Sequence, residues 1–339
     1  MIRALRARHS NVSRGVSISE WIRQPANDGR AREAEALGFD VLWGNDHLIT
    51  QRVVMDSLTA PPNFYEPLTI FAYLAGHVER IKLMTSTLIA PLRDPVLLAK
   101  QAATLDQITG GRVLLGLGIG AYREEFEALA RHHPTGNRGE MLEEFVAVLR
   151  LLFQERRAHF EGKYYRFPEI EVYPKPVQDS LPIYLSGNSP AAIRRAARIA
   201  DGLIVAGVSP EQAREAVRRL RLAMVDAGRD PASAQVCVQA WISIADAESI
   251  ARERLMASQH FQRLRALHPD AAPEMLVRSF EQQNLVGTPE AVCKRIEAYV
   301  ASEVDHLGLI FLAPDVEHLV DAMRCFARHV LSRFHKQPG

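Results

Sequence analysis

Short apolar runs alternate with segments in which apolar residues return every three or four positions, and this alternation fills most of the chain. The clearest unit is 81–120. Its first run, 81–88, suits a buried strand, and Asp94 followed by Pro95 supplies an N-cap and a proline at the first helical position. Leu97, Leu98, Gln101, Ala102 and Leu105 then recur at helical spacing, Gly110 and Gly111 stop the helix, and 113–117 supplies the next apolar strand. Strand, helix, strand in this order implies a parallel pair.

The same reading gives further strands at 16–18, 41–44, 182–185, 202–206, 236–244 and 306–312. Helices are expected over 28–37, 67–77, 123–153 with a break at 134–139, 190–199, 210–227, 289–301 and 314–330. Eight strands, each followed by helix and with no internal repeat, predict an α/β fold of the (β/α)8 TIM-barrel type. A doubly wound open sheet uses the same alternation and is the alternative. Two segments exceed the minimal repeat: 156–180 is aromatic and proline-bearing and reads as a hairpin or flap, and 247–285 reads as an inserted helical lid. The expected organisation is an arm over 1–14, one barrel domain over 15–331 and a tail over 332–339.

Composition narrows the class of partner. A formal net charge of +1 offers no electrostatic case for nucleic acid or a membrane surface, and no apolar run is long enough to span a bilayer. Cys237, Cys293 and Cys325 form no C-x-x-C pair and read as buried thiols in a reducing, cytoplasmic setting. The first fourteen residues are basic and lack acids, a transit-peptide-like composition that also suits a solvated arm.

A barrel places its chemistry where strands end at the carboxyl face. Asp46 and His47 follow the second strand; the histidine can exchange a proton near neutral pH, and the dipeptide is equally a capped loop. Ser86 and Thr87 close the third strand and could hydrogen-bond a heterocycle edge. Gly116, Gly118 and Gly120 share one strand face, which admits close approach by a ligand or another backbone. Ala121 and Arg123 break any dinucleotide fingerprint there. Gly187, Asn188 and Ser189 feed a helix at Pro190, with Arg194 and Arg195 in the next turn, a phosphate-type arrangement that also reads as a simple N-cap. His132-His133 lies in a polar loop, and no metal-ligand spacing, P-loop or nucleophile elbow occurs. Such a mouth suits chemistry borrowed from an organic cofactor.

The segments Ala34-Glu35-Ala36-Leu37-Gly38-Phe39-Asp40-Val41-Leu42-Trp43 with Asp46-His47, Arg93-Asp94-Pro95 and Gly110-Gly111-Arg112 are similar to the bacterial luciferase-like oxidoreductase family. The glycine run to Gly120, Tyr173-Pro174-Lys175-Pro176, Ser186-Gly187-Asn188-Ser189, Asp201-Gly202 and Val286-Gly287-Thr288-Pro289 extend the resemblance in family order. It implies a barrel that binds FMN or the deazaflavin F420, usually as a homodimer. The 187–189 loop with Arg194, Arg195 and Asp201-Gly202 resembles the deazaflavin branch, where it holds the cofactor phosphate. Asp46 and His47 would flank the ring, Ser86-Thr87 would cover a non-prolyl cis peptide, and Gly118 and Gly120 would leave the ring room. Ala121 stands where the sugar-phosphate dehydrogenases carry a catalytic carboxylate, so glucose-6-phosphate chemistry is not implied; Glu124 and Glu125, one turn on, could substitute for it but read first as surface charge.

The resulting expectation is an F420-dependent oxidoreductase moving a hydride to or from a small organic substrate, with His47 exchanging the proton and Asp46 or the cofactor orienting it. An FMN-dependent monooxygenase served by a separate reductase and a non-catalytic flavin-binding protein are the alternatives. The pocket would be shaped by the loops around Trp21 and Phe64-Tyr65 and by the two inserted segments.

Overall fold

Twelve strands appear in chain order among the described residues. They are β1 (Ser13–Ser17), β2 (Val41–Gly44), β3 (Lys82–Thr85), β4 (Leu88–Ile89), β5 (Val113–Gly118), β6 (Ala158–Glu161), β7 (Arg166–Ile170), β8 (Ile183–Ser186), β9 (Gly202–Ala206), β10 (Gln235–Ile244), β11 (Leu285–Gly287) and β12 (His306–Phe311). The computed structural model describes residues 13–17, 27–50, 52, 56, 64–129, 136–313 and 315–334. Trp21, His132 and His133 lie outside them.

Eight of the strands close into a parallel barrel in the order β1, β2, β3, β5, β8, β9, β10, β12, with β1 joining both ends. Gly15 faces Gly308 of β12 on one side and Val41 of β2 on the other. The short β4 pairs with the end of β5, β11 extends the carboxyl end of β10, and β6 and β7 form a separate antiparallel hairpin. The fold is the α/β TIM barrel expected from the alternation, and the open sheet is excluded by closure.

Local chemistry explains the helices. The Pro95–Thr109 helix opens with the Asp94 carboxylate accepting from the Leu97 N–H at 2.8 Å and closes at Gly110, whose φ of 65° is left-handed. The Pro210–Asp226 helix opens with a capping box between Ser209 and Gln212. Apolar faces of such helices pack on the outward residues of the strands, among them Leu42, Leu83, Leu115, Leu185 and Leu309.

Inside the barrel, Val41, Trp43, Met84, Leu114, Tyr184, Ile204 and Cys237 form a second, smaller core. The Trp43 indole reaches across two neighbouring strands that carry no side chain to oppose it. A Cβ on Gly15 would fall 1.4 Å from Trp43 Nε1, and one on Gly308 1.7 Å from its Cζ2. The barrel is thus filled, not hollow.

Several boundaries differ from the sequence expectation. Ser13 and Arg14, expected in the arm, belong to β1; the backbone N–H of the buried Arg14 donates to the Asp40 carboxylate, and its guanidinium donates to the Phe334 carbonyl. Ser332–Phe334, expected in the tail, is helical and Phe334 is buried. The helices Arg123–Leu129 and Arg138–Gln154 lie on either side of the break expected within 123–153. The inserted 247–285 segment holds three, Glu248–Ala257, Gln259–Leu267 and Pro273–Gln283.

Candidate active site

The loop after β2 carries Asp46 and His47 to the carboxyl mouth, where their side chains part. Asp46 is buried, and its carboxylate accepts from the Ile89 N–H at 2.9 Å and from Arg93 at 3.1 and 2.9 Å. Arg93 also donates to Glu66 at 3.0 Å. Burial alone would lower the Arg93 pKa, yet Asp46 and Glu66 together hold it above its ordinary value. Asp46 is therefore a strut that fixes the β2 and β3 loops, and it does not orient His47 as the sequence suggested.

His47 faces Glu125. Its Nδ1 lies 3.5 Å from Glu125 Oε1, an ion-pair distance longer than a good hydrogen bond. Glu125 is fully buried and also accepts from the Leu48 N–H at 3.2 Å, while its Oε2 has no hydrogen-bond partner. Reading Glu125 as surface charge is thus corrected: the helix after β5 turns it inward to the histidine loop. The neighbouring Glu124 accepts from the Arg52 N–H at 2.7 Å and ties the same loop from the outside. The Phe64 ring meets His47 edge-on with centroids 4.5 Å apart, and Tyr122 lies at 5.7 Å.

The end of β3 supplies hydroxyls. Ser86-Thr87 is a non-prolyl cis peptide, the Ser86 N–H donates to the Gly44 carbonyl, and Ser86 Oγ is buried with no hydrogen-bond partner. Thr87 Oγ1 and Ser186 Oγ are 3.4 Å apart, and a Cβ on Gly118 would fall within 2.6 and 2.8 Å of these two oxygens. Gly118 therefore lets two hydroxyls converge.

Its neighbours do something else. A Cβ on Gly116 would lie 2.0 Å from the Thr85 carbonyl oxygen, and one on Gly120 would meet Phe126 at 2.7 Å and Ile89 at 2.9 Å. The glycine face is occupied by the protein itself. Gly116 and Gly120 are packing glycines, which corrects the assignment of Gly120 to a ring-binding face.

The 187–189 loop is largely self-satisfied. Ser189 Oγ accepts from the Ala192 N–H at 3.2 Å, and the Asn188 side-chain amide exchanges hydrogen bonds with the Ala206 backbone at 2.8 and 3.2 Å. The Gly187 N–H donates to the Ile204 carbonyl, and a Cβ there would meet Ala192 at 2.7 Å. Arg194 is exposed, whereas Arg195 pairs with Glu143 at 3.2 Å. Asp201 leaves the group altogether. It sits at the start of β9, at the amino mouth, bonded to Arg150 and to the Ile183 N–H. That mouth holds an open depression of about 780 Å³ lined by Tyr184, Gln235 and His306, on the face that barrels use for stability rather than chemistry.

The inserted helices cross the carboxyl mouth. His260 stacks on Trp241 of β10 with centroids 4.3 Å apart, and the Arg263 guanidinium, one turn later, lies 5.2 Å from the Tyr122 ring centroid. Burial lowers the His260 pKa to about 4, so its ring is neutral at physiological pH.

Residues 22–306 match the family described as luciferase-like monooxygenase. The chain belongs to that family. Among luciferase-like relatives, the FMNH(2)-dependent dimethylsulfone monooxygenase of Pseudomonas putida is 29% identical over 353 residues, covering 95% of this chain and 92% of the relative. The F420-dependent glucose-6-phosphate dehydrogenase of Nakamurella multipartita is 32% identical over 240 residues, covering 70% of this chain and 68% of the relative. A solved F420-dependent secondary alcohol dehydrogenase in complex with an F420-acetone adduct superposes with a TM-score of 0.80 at 21% identity over 95% of this chain and 99% of that one, a likeness of fold.

Sequence reasoning singled out His47, Ser86, Thr87 and Phe64 in this luciferase-like mouth, and missed Tyr122, Trp241, His260 and Arg263. Tyr122 stands two residues past the glycine run and could have been found by its place at a strand end. Trp241 takes its direction from the pleat of β10, whereas His260 and Arg263 carry no local signal, because only the folding of the inserted helices aims them inward.

Proposed function

We propose that this chain is an F420-dependent oxidoreductase that transfers a hydride between the deazaflavin and a small organic substrate. The observation that carries the reading is His47 held against a buried Glu125 at the carboxyl mouth, beside hydroxyls that the protein leaves underused. Ser86 Oγ is the test of fit: a buried hydroxyl without a protein partner matches a ligand that presents hydrogen-bonding edges.

Ser86, Thr87 and Ser186 would hold the ring edge, and Arg194 with the start of the Pro190–Ile199 helix would meet the phosphate. Bound there, the cofactor supplies a two-electron hydride donor or acceptor. The protein's part is orientation and proton movement. Glu125 faces Nδ1 of His47, so that the imidazole can exchange the substrate proton at Nε2 while its ring keeps one orientation. Phe64 and Tyr122 shield that exchange from water. The reading carries with it a homodimer and a cytoplasmic location.

A second reading, an FMN-dependent monooxygenase supplied by a separate reductase, is favoured by one observation. The dimethylsulfone monooxygenase aligns over 95% of the chain, against 70% for the dehydrogenase. Titration of the apo-protein with F420 and with FMN, side by side and with the phosphate-trimmed form of each, separates them. Tighter F420 binding that weakens on trimming supports the first reading, tighter FMN binding supports the second, and binding of neither defeats both.

A further inference from the structure

Arg263 is a cation placed in the mouth without an anion among the described residues. Among the described residues it forms no hydrogen bond or ion pair, and its Nε is buried with no hydrogen-bond partner. Its one described interaction is with the face of Tyr122, whose ring in turn lies against His47. Burial lowers its pKa with no carboxylate opposing the shift. A partly buried guanidinium with unsatisfied donors is costly unless something completes it.

The surroundings limit what that something is. On the same helix His260 stacks on Trp241 and approaches Phe280, so the wall beside Arg263 is aromatic and uncharged at neutral pH. Aromatic walls with one cationic donor fork select a flat apolar body bearing a planar or tripodal anionic group.

We propose that Arg263 is the specificity residue of this site and that the substrate is a small organic anion, a carboxylate or sulfonate on an apolar body. The inserted Gln259–Leu267 helix holds the guanidinium over the mouth, and the anionic group docks on it while the apolar body lies toward Tyr122 and His47. This rests on the oxidoreductase reading of the site. The same guanidinium could meet a phosphate belonging to the cofactor, and the experiment separates the two sources.

The protein, saturated with whichever of F420 or FMN it binds, is titrated by calorimetry with benzoate, benzenesulfonate and the neutral isostere benzamide, for the wild type, Arg263→Gln and Arg263→Lys. The expected result is that an anion binds more tightly than benzamide, that Arg263→Gln weakens the anion about tenfold or more while leaving benzamide unchanged, and that Arg263→Lys falls between. Cofactor affinity stays level across the three proteins. Equal binding of benzamide and the anions, no binding of any probe, or no effect of Arg263→Gln overturns the proposal. It is also overturned if Arg263→Gln weakens the intact cofactor but not its phosphate-trimmed form, since the residue would then serve the cofactor. Failure of the oxidoreductase reading shows separately, as a wild-type protein that takes up neither cofactor.

Discussion

Glu125 Oε1 stands 3.5 Å from His47 Nδ1 and joins the helix after β5 to the loop after β2. Two units remote in sequence thus meet in one His–Glu pair, the pair to which the proposed function gives the proton. Replacing His47 by Ala should lower turnover by about 10²- to 10⁴-fold, the usual range for a positioned acid or base, with cofactor affinity little changed. Stopped-flow oxidation or reduction of the bound cofactor measures the first and fluorescence titration the second. Turnover equal to wild type would remove His47 from the reaction.

Glu125→Gln keeps an acceptor for the Leu48 N–H and removes the negative charge facing the ring. It should lower kcat and leave the thermal midpoint close to wild type, whereas Glu125→Ala should lower both. A Glu125→Gln enzyme with full kcat would reduce the carboxylate to a loop clamp.

Asp46 should behave as a structural residue. Asp46→Ala leaves Arg93 without its chief partner in a buried setting, a change that costs about 3 kcal/mol when one member of a buried pair is removed. Denaturant unfolding checks this. Full stability combined with lost turnover would restore the catalytic role that its place beside His47 first suggested.

Acid should loosen the fold through two histidines. His260 and His306 both have pKa values lowered from 6.5 to about 4, by burial and, for His306, also by Lys82. Arg263 is one turn from His260, and Gln235 and Tyr184 bond His306. The unfolded chain takes up these protons near pH 6.5 and the folded chain only near 4, so the unfolded state binds more protons across that window. Stability therefore falls as pH drops from about 6.5 towards 4, by up to roughly 3 kcal/mol for each histidine. Thermal midpoints at pH 7 and 4.5 should differ less for His260→Phe and His306→Phe than for the wild type; an undiminished difference in the double variant would contradict the account.

Gly308→Ala drives a methyl into the Trp43 indole and should destabilise by about 1–3 kcal/mol or more. Trp43→Phe should recover part of that loss in the double variant, because the two sites share one volume. Additive losses would mean that the indole is not what fills the space.

The features legible in the sequence were those whose cause is local. Asp94, Pro95 and Gly110 announce a helix by chemistry confined to its own ends, and His47 declares itself by following a strand. Partnerships were not legible. His47 sits next to Asp46 in the chain, but Arg93 and the Ile89 N–H claim that carboxylate, and Glu125 arrives from another strand. Asp201 shows the same limit along the barrel axis, since the Pro190–Ile199 helix between the end of β8 and the start of β9 carries the chain from one mouth to the other. The sequence leaves the glycine face open to a ligand or to another backbone, because it does not show which neighbour fills a missing side chain.

Trp43, wedged over Gly15 and Gly308, gives the barrel a solid floor beneath the carboxyl mouth. With the barrel stoppered from within, the depression at the amino mouth cannot serve as a back door. Among the described residues, traffic to the His47 side of the plug is therefore confined to the carboxyl end of the barrel.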